Sequence, residues 1–332
     1  MGISKPLPGG GPQGTILGLF LFLILVNAAG FEDVPINTGE VITKVNNKRK
    51  AIKYTHAKYV DDLTIAEAIN IKSQIKFSDN PNQELPIPYH LRTGHVLPHD
   101  DSLVCKELTN ILSYSDEHEM QVNTKKTKVM LFNQSRTVDI QPEIILNNVE
   151  IEMREEMKLL GVVLTSNLKW KRNTEYITQR GYSRLWILKR LKKLGCPIEV
   201  LVDSYIKQVR CILETACPVW HSALTQADSR AVERVQKSAI AIILGEHYTS
   251  YESALDNLEL STLDERRDTL CPNFALKSAS HPIHNQWFNS KGDAPETRNQ
   301  DVFQPVWTAT KRYKKSPIPH MTQLLNEHYK KK

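Results

Sequence analysis

Apolar residues recur at helical spacing through the second half of the chain and in short, strand-like groups in the first. Leu201, Val202, Tyr205, Ile206, Val209, Ile212 and Leu213 stand at i, i+1, i+4, i+5, i+8, i+11 and i+12, which predicts one face of a helix. Val232, Val235, Ala239, Ile242 and Ile243 predict another, closed by Gly245 as its C-cap. Ile187, Leu188, Leu191 and Leu194 share a third helical face, with Lys189, Arg190, Lys192 and Lys193 opposite, beside Tyr182 and Trp186. Leu103, Leu108, Ile111 and Leu112 predict a helix within 102–120.

Strand signals precede these helices. Residues 53–69 read as extended pieces around a tight turn: Tyr59 and Val60 favour strand, Asp61 and Asp62 favour a turn, and Leu63 to Ile65 return to strand character. Residues 129–132 and 144–146 predict short strands, and Asn147-Asn148 leads to Val149 as a hairpin turn. Residues 159–164 predict a strand kinked at Gly161, and the four prolines of 79–101 predict a loop. Periodicity fades from His281. The expected fold class is α+β: a mixed part over 1–172, a helical part over 173–275, and an irregular basic tail over 276–332.

The most apolar run is residues 15–26, 12 residues long, where a membrane span needs about 20. Lys5 before it and VNAAG after it match a secretory signal, while the Gly/Pro-rich turn at 9–14 leading into it matches a buried core helix. Pattern alone leaves both readings open.

The chain has 332 residues, 40% hydrophobic and 24% charged, which excludes disorder throughout and accommodates about two domains. Five cysteines without a CxxC spacing exclude a disulfide framework and give no zinc motif. The net charge of +6 is modest, but its placement is uneven. Arg180 to Lys193 holds six Lys/Arg and no acid, and Phe303 to Lys332 holds seven against Glu327 alone. Cations interleaved with aromatics suit a phosphate backbone and stacked bases, although a solvated amphipathic face has the same pattern. KRYKK at 311–315 reads either as a nuclear-import signal or as a solvated end. Adjacent carboxylates flanked by strand supply hard oxygen donors for Mg²⁺, and nucleotidyl transfer uses two such ions.

Several segments together resemble the reverse transcriptases of non-LTR (LINE-type) retrotransposons, over roughly residues 9–275. GGGPQGTILGLFLFLILVN at 9–27 resembles that family's PQG segment, and KYVDDLTIA at 58–66 its Y/F-x-D-D hairpin. MQVNTKKTKVMLF at 120–132 resembles the Asn-x-x-Lys-Thr segment, and MKLLGVVLTSNLKW at 157–170 the primer-grip stretch. Residues 205–224 and 233–245 resemble the helices downstream of the polymerase core. The resemblance makes 15–26 an internal core helix and implies a partial palm followed by a thumb-like helical region.

It also implies site residues. Asp61, with Asp62 beside it, would hold Mg²⁺ or Mn²⁺; Pro12, Gln13, Gly14 and Tyr59 would border the nucleotide; Lys126, with Lys125 as fallback, would face the triphosphate. Leu160, Gly161 and Trp170 would grip the primer, and Tyr182, Trp186, Lys189, Arg190, Lys192 and Lys193 would track nucleic acid. The implied partners are an RNA template, a DNA primer and a dNTP, with no membrane. Departures are also visible: Ala28 stands where the family has Asp, and Leu19 where Pro is frequent. The family's fingers and its other metal-ligating Asp lie upstream of the PQG segment, and only eight residues precede Gly9. An incomplete metal site and little or no polymerase activity from this chain alone are therefore expected, unless another chain supplies the missing part. The alternative is a non-catalytic nucleic-acid-binding retroelement relic using residues 180–193 and the basic tail.

Overall fold

The computed structural model describes residues 36–45, 48–59, 62–67, 103–132, 144–282, 284–290, 301–308 and 310–330. The apolar run 15–26 and the Pro-rich stretch 79–101 lie outside them. Among the described residues the fold is mixed α+β and mostly helical, with small antiparallel sheets. No helix among them is long and apolar enough to cross a membrane. Two compact units, Met1–Glu155 and Glu156–Lys332, divide the chain.

In the first unit, β1 (Ile36–Val45), β2 (Lys48–Tyr59) and β3 (Asp62–Glu67) form an antiparallel sheet in that order. The β2–β3 pairing runs to Tyr59↔Asp62, so Asp62 opens a strand. Val60 and Asp61 lie outside the described residues. Helix α1 (Leu103–Glu117) forms where its leucines predict it. β4 (Ile145–Leu146) and β5 (Val149–Glu150) flank Asn147 and Asn148, whose φ values of 51° and 59° are the left-handed pair that a two-residue hairpin turn requires. Ile144, Leu146 and Ile151 form a small core with Leu108, Leu112, Val122 and Val129. The strand expected at 129–132 is reduced to a single bridge, Val129 to Met153.

The second unit opens with β6 (Glu156–Leu159) and β7 (Val162–Thr165), paired antiparallel. The kinked strand expected here is a hairpin, because Leu160 and Gly161 take φ of 46° and 86° and reverse the chain in two residues. The buried Asn173 side chain accepts the Val163 N–H at 3.0 Å, fixing the hairpin on α2 (Lys171–Lys193). Glu156, and not a residue near 172, therefore begins this unit.

After α2 come α3 (Ile198–Tyr205), a π-turn (Ile206–Arg210), α4 (Cys211–Glu214) and α5 (Cys217–Trp220). Then α6 (Gln226–Leu244), α7 (Tyr251–Asn257) and α8 (Leu263–Ser280) complete the centre. The core joins Ile177, Leu185 and Leu188 of α2 to Tyr205, Leu213, Trp220, Val232, Val235, Ala239, Ile243 and Leu263. Gly181 lets α2 sit against this layer. A Cβ there would meet Leu213 Cδ2 and Val235 Cγ1, each at 2.9 Å.

Polar groups inside are paired in a chain. Tyr205 OH donates to Gln236 Oε1, and Gln236 Nε2 donates to Tyr251 OH at 2.8 Å and to the Ser261 carbonyl at 3.0 Å. Tyr251 OH donates to Glu233, whose carboxylate also accepts the Leu263 N–H at the start of α8. Burial pushes both phenols up, so they remain protonated donors.

Residues 276–332 are not an irregular tail among the described positions. α8 continues to Ser280, and α9 (Lys311–Lys314) and α10 (Pro317–Lys330) follow. Met321 and Leu325 of α10 pack with Ala275 and Phe288, while Asn326 exchanges two hydrogen bonds with the backbone of Phe303 at 2.9 and 3.0 Å. His320 on α10 is held neutral chiefly by burial and then by nearby His221, with Glu327 and Asp268 acting the other way.

Two outcomes follow from this packing. Gly181→Val should lower unfolding free energy by about 1–3 kcal/mol in urea titrations, since Leu213 and Val235 are both fully buried and would have to shift to admit a side chain; an unchanged midpoint would show that α2 is not seated this closely. The unfolded chain protonates His320 near its ordinary value of about 6.5 while the folded chain resists. Stability is therefore fully present above that pH and is lost as pH falls toward the lowered folded value. His320→Gln should flatten this part of the pH–stability profile, and a profile parallel to that of the parent chain would contradict it.

Candidate nucleic-acid interface

α2 is amphipathic because its apolar positions Ile177, Leu185 and Leu188, with Gly181, recur at three, four and seven residues and turn together toward α6. The opposite stripe is fixed by that choice. Tyr182, Trp186, Lys189, Arg190 and Lys193 stand at i, i+4, i+7, i+8 and i+11, and all five are exposed, Trp186 by 58%. An indole this open to water on an otherwise well-packed helix leaves a large apolar surface uncovered. Among the described residues, none of the three cations has a carboxylate partner.

Lys192 does not join the stripe. Its ammonium donates to the carbonyls of Ile242 and Ile243 at 2.7 and 3.1 Å, at the C-terminal end of α6, where carbonyls lack helical donors. Gly245 makes room for it: a Cβ there would lie 2.2 Å from the Lys192 nitrogen. Leu194, expected on the apolar face, is instead 72% exposed beyond the end of α2.

The hairpin lies directly before this helix. Leu160 is exposed at its tip beside Gly161, and Trp170, the residue preceding α2, packs partly buried against the helical core. The hairpin is tied to the helix by a cluster that the sequence did not single out. Lys158 Nζ lies 4.9 Å from the Tyr176 ring centre, and Arg180 donates to the Tyr176 hydroxyl at 3.0 Å. Hydrogen bonding to Lys158 foremost, and to Arg180, lowers the pKa of that phenol against the effect of its burial. The one signal for it in the sequence is the i, i+4 spacing of Tyr176 and Arg180. Arg172 adds ion pairs to Glu156 at 2.7 Å and Glu175 at 2.5 Å.

In the first unit, the Asn-x-x-Lys-Thr segment is a closed turn. Asn123 Oδ1 accepts the Lys126 N–H at 3.1 Å, and the Asn123 carbonyl accepts the Thr127 hydroxyl at 2.9 Å. The turn leaves Lys125 and Lys126 exposed. Tyr59 ends β2 opposite Asp62, while Asp61, Pro12, Gln13 and Gly14 lie outside the described residues. Among the described residues no three His, Cys, Asp or Glu side chains gather as a metal site. No family model, curated protein or solved structure matches the chain.

Proposed function

We propose that this chain is part of a reverse transcriptase of the non-LTR retrotransposon type, and that its helical unit holds the primer–template nucleic acid along the outer stripe of α2. The observation that carries the reading is the stripe itself: two exposed aromatics and three cations without acidic partners among the described residues, on a helix whose other face is locked into a core. Phosphates neutralise such cations with release of counterions, and exposed rings accept base or sugar faces. The exposed tip at Leu160 and Gly161, rigidly joined to the same helix, suits the primer-grip role that the motif implies. The closed Asn123 turn, which presents Lys126, suits a cation placed near a triphosphate.

In this reading Asp61 and Asp62 hold Mg²⁺ or Mn²⁺. Their hard oxygens have the right donor chemistry, and the pair supplies part of what a two-metal centre needs. The ions, when bound, activate the attacking oxygen and stabilise the leaving one. The chain's own contribution from the described residues is to bind and orient the nucleic acid. A second reading, a nucleic-acid-binding protein without catalysis, is favoured by the fact that the stripe belongs wholly to the compact unit Glu156–Lys332.

Binding of an RNA–DNA hybrid to the full chain, followed by fluorescence anisotropy across a salt series, tests the proposal. K189Q/R190Q/K193Q should lower the log–log salt slope by about 0.9 for each phosphate that is no longer neutralised; an unchanged slope would reject α2 as the interface. Primer extension on an RNA template with Mg²⁺ or Mn²⁺ separates the two readings. Extension that disappears in Asp61→Ala, from the chain alone or after an upstream fragment carrying the missing Asp is added, supports the polymerase, and hybrid binding without extension in either case supports the non-catalytic protein.

A further inference from the structure

We infer that Trp307 and the turn at 310–315 form a second nucleic-acid contact, separate from α2 and suited to a single strand. The inference rests on the reading that this chain handles nucleic acid, and it narrows the basic tail to one site and adds a form of ligand. Trp307 is 83% exposed, the highest value among the large apolar side chains of the described residues. Tyr313 follows six residues later, also exposed, within a run of Lys311, Arg312, Lys314 and Lys315 whose side chains are all exposed. Between Val302 and Asn326 the sequence has no acidic residue, and among the described residues none of the four cations has a carboxylate ion-pair partner.

These charges stand on an anchored turn and not on a loose end. Thr310 Oγ1 accepts the Tyr313 N–H at 3.1 Å, Ser316 Oγ donates to the Tyr313 carbonyl at 2.7 Å, and Ser222 Oγ donates to the Lys315 carbonyl at 2.6 Å. Anchoring reduces the ordering cost of binding. The site is also distinct from the stripe of α2: α2 packs on α6, whereas α9 leads into α10, which packs on α8 and α5. An indole needs an open base face, which a single strand offers and a duplex withholds except at its ends. Four exposed cations beside it suit a polyanionic phosphate backbone better than a neutral or basic partner.

The test uses the full chain with labelled oligouridine and, in parallel, the RNA–DNA hybrid. Trp307→Ala should weaken oligouridine binding about tenfold while leaving hybrid binding unchanged. K311Q/R312Q/K314Q/K315Q should lower the oligouridine salt slope by about 0.7 for each phosphate that is no longer neutralised. Both variants alter side chains that project into solvent, and unchanged circular dichroism will show that they fold. Oligouridine affinity and slope unchanged in both variants would overturn the inference, as would Trp307-dependent binding to phosphatidylserine vesicles without binding to oligouridine. The variant K189Q/R190Q/K193Q separates this failure from failure of the α2 reading. If it keeps hybrid binding while the Trp307 variant no longer binds oligouridine, the α2 interface is wrong and the second contact stands.

Discussion

The close seating of α2 on α6 decides which residues of this protein meet solvent. At one end of the contact Gly181 lets the helix approach Leu213 and Val235 without a side chain between them. At the other, Lys192 reaches across to the last carbonyls of α6, over a glycine that leaves it room. Two pins about three helical turns apart fix the rotation of α2 about its own axis. With the rotation fixed, Tyr182, Trp186, Lys189, Arg190 and Lys193 have no direction but outward. The candidate interface is thus a consequence of core packing and of one lysine committed to structure.

Behind that contact, a buried polar chain holds the layers in register. Tyr205, Gln236, Tyr251 and Glu233 link α3, α6, α7 and the start of α8, and each donor in the chain finds an acceptor. Arg267 on α8 is also fully buried, bonded to Asp264 and Ser229 at 2.8 Å and to His221 at 3.1 Å, with Nη1 left without a partner among the described residues. Removing one member of such a set strands the others in low dielectric, which costs more than the bond itself. α10 then closes the outer side of α8 through Met321 and Leu325, with Asn326 pairing the backbone of Phe303.

Much of this was legible in the sequence, for identifiable reasons. The helices carrying Leu201 to Leu213 and Val232 to Ile243 have unbroken apolar spacing, and burial follows it closely. The Asn147-Asn148 turn was legible because few other residues accept left-handed backbone twice in succession. Lys192 could not be told from Lys189 or Lys193 by type or spacing, since its partner is a pair of carbonyls 50 residues away in sequence. The turn at Leu160 was hidden because leucine rarely takes positive φ. α10 escaped because Thr322 and Asn326 occupy core positions and Pro317 and Pro319 resemble breaks, although proline is well tolerated in a first turn. Of the candidate catalytic residues, Asp62 and Lys126 fall on described elements, and their chemistry is legible only through the resemblance.

The most direct measurement of the central claim is photocrosslinking of the full chain to a bromouridine-bearing RNA–DNA hybrid, with the modified peptides located by mass spectrometry. Crosslinks at Tyr182 or Trp186 are the expected result. Crosslinks confined to residues outside 180–193, with both aromatics unmodified, would contradict the assignment of the outer face of α2 as the surface that holds nucleic acid.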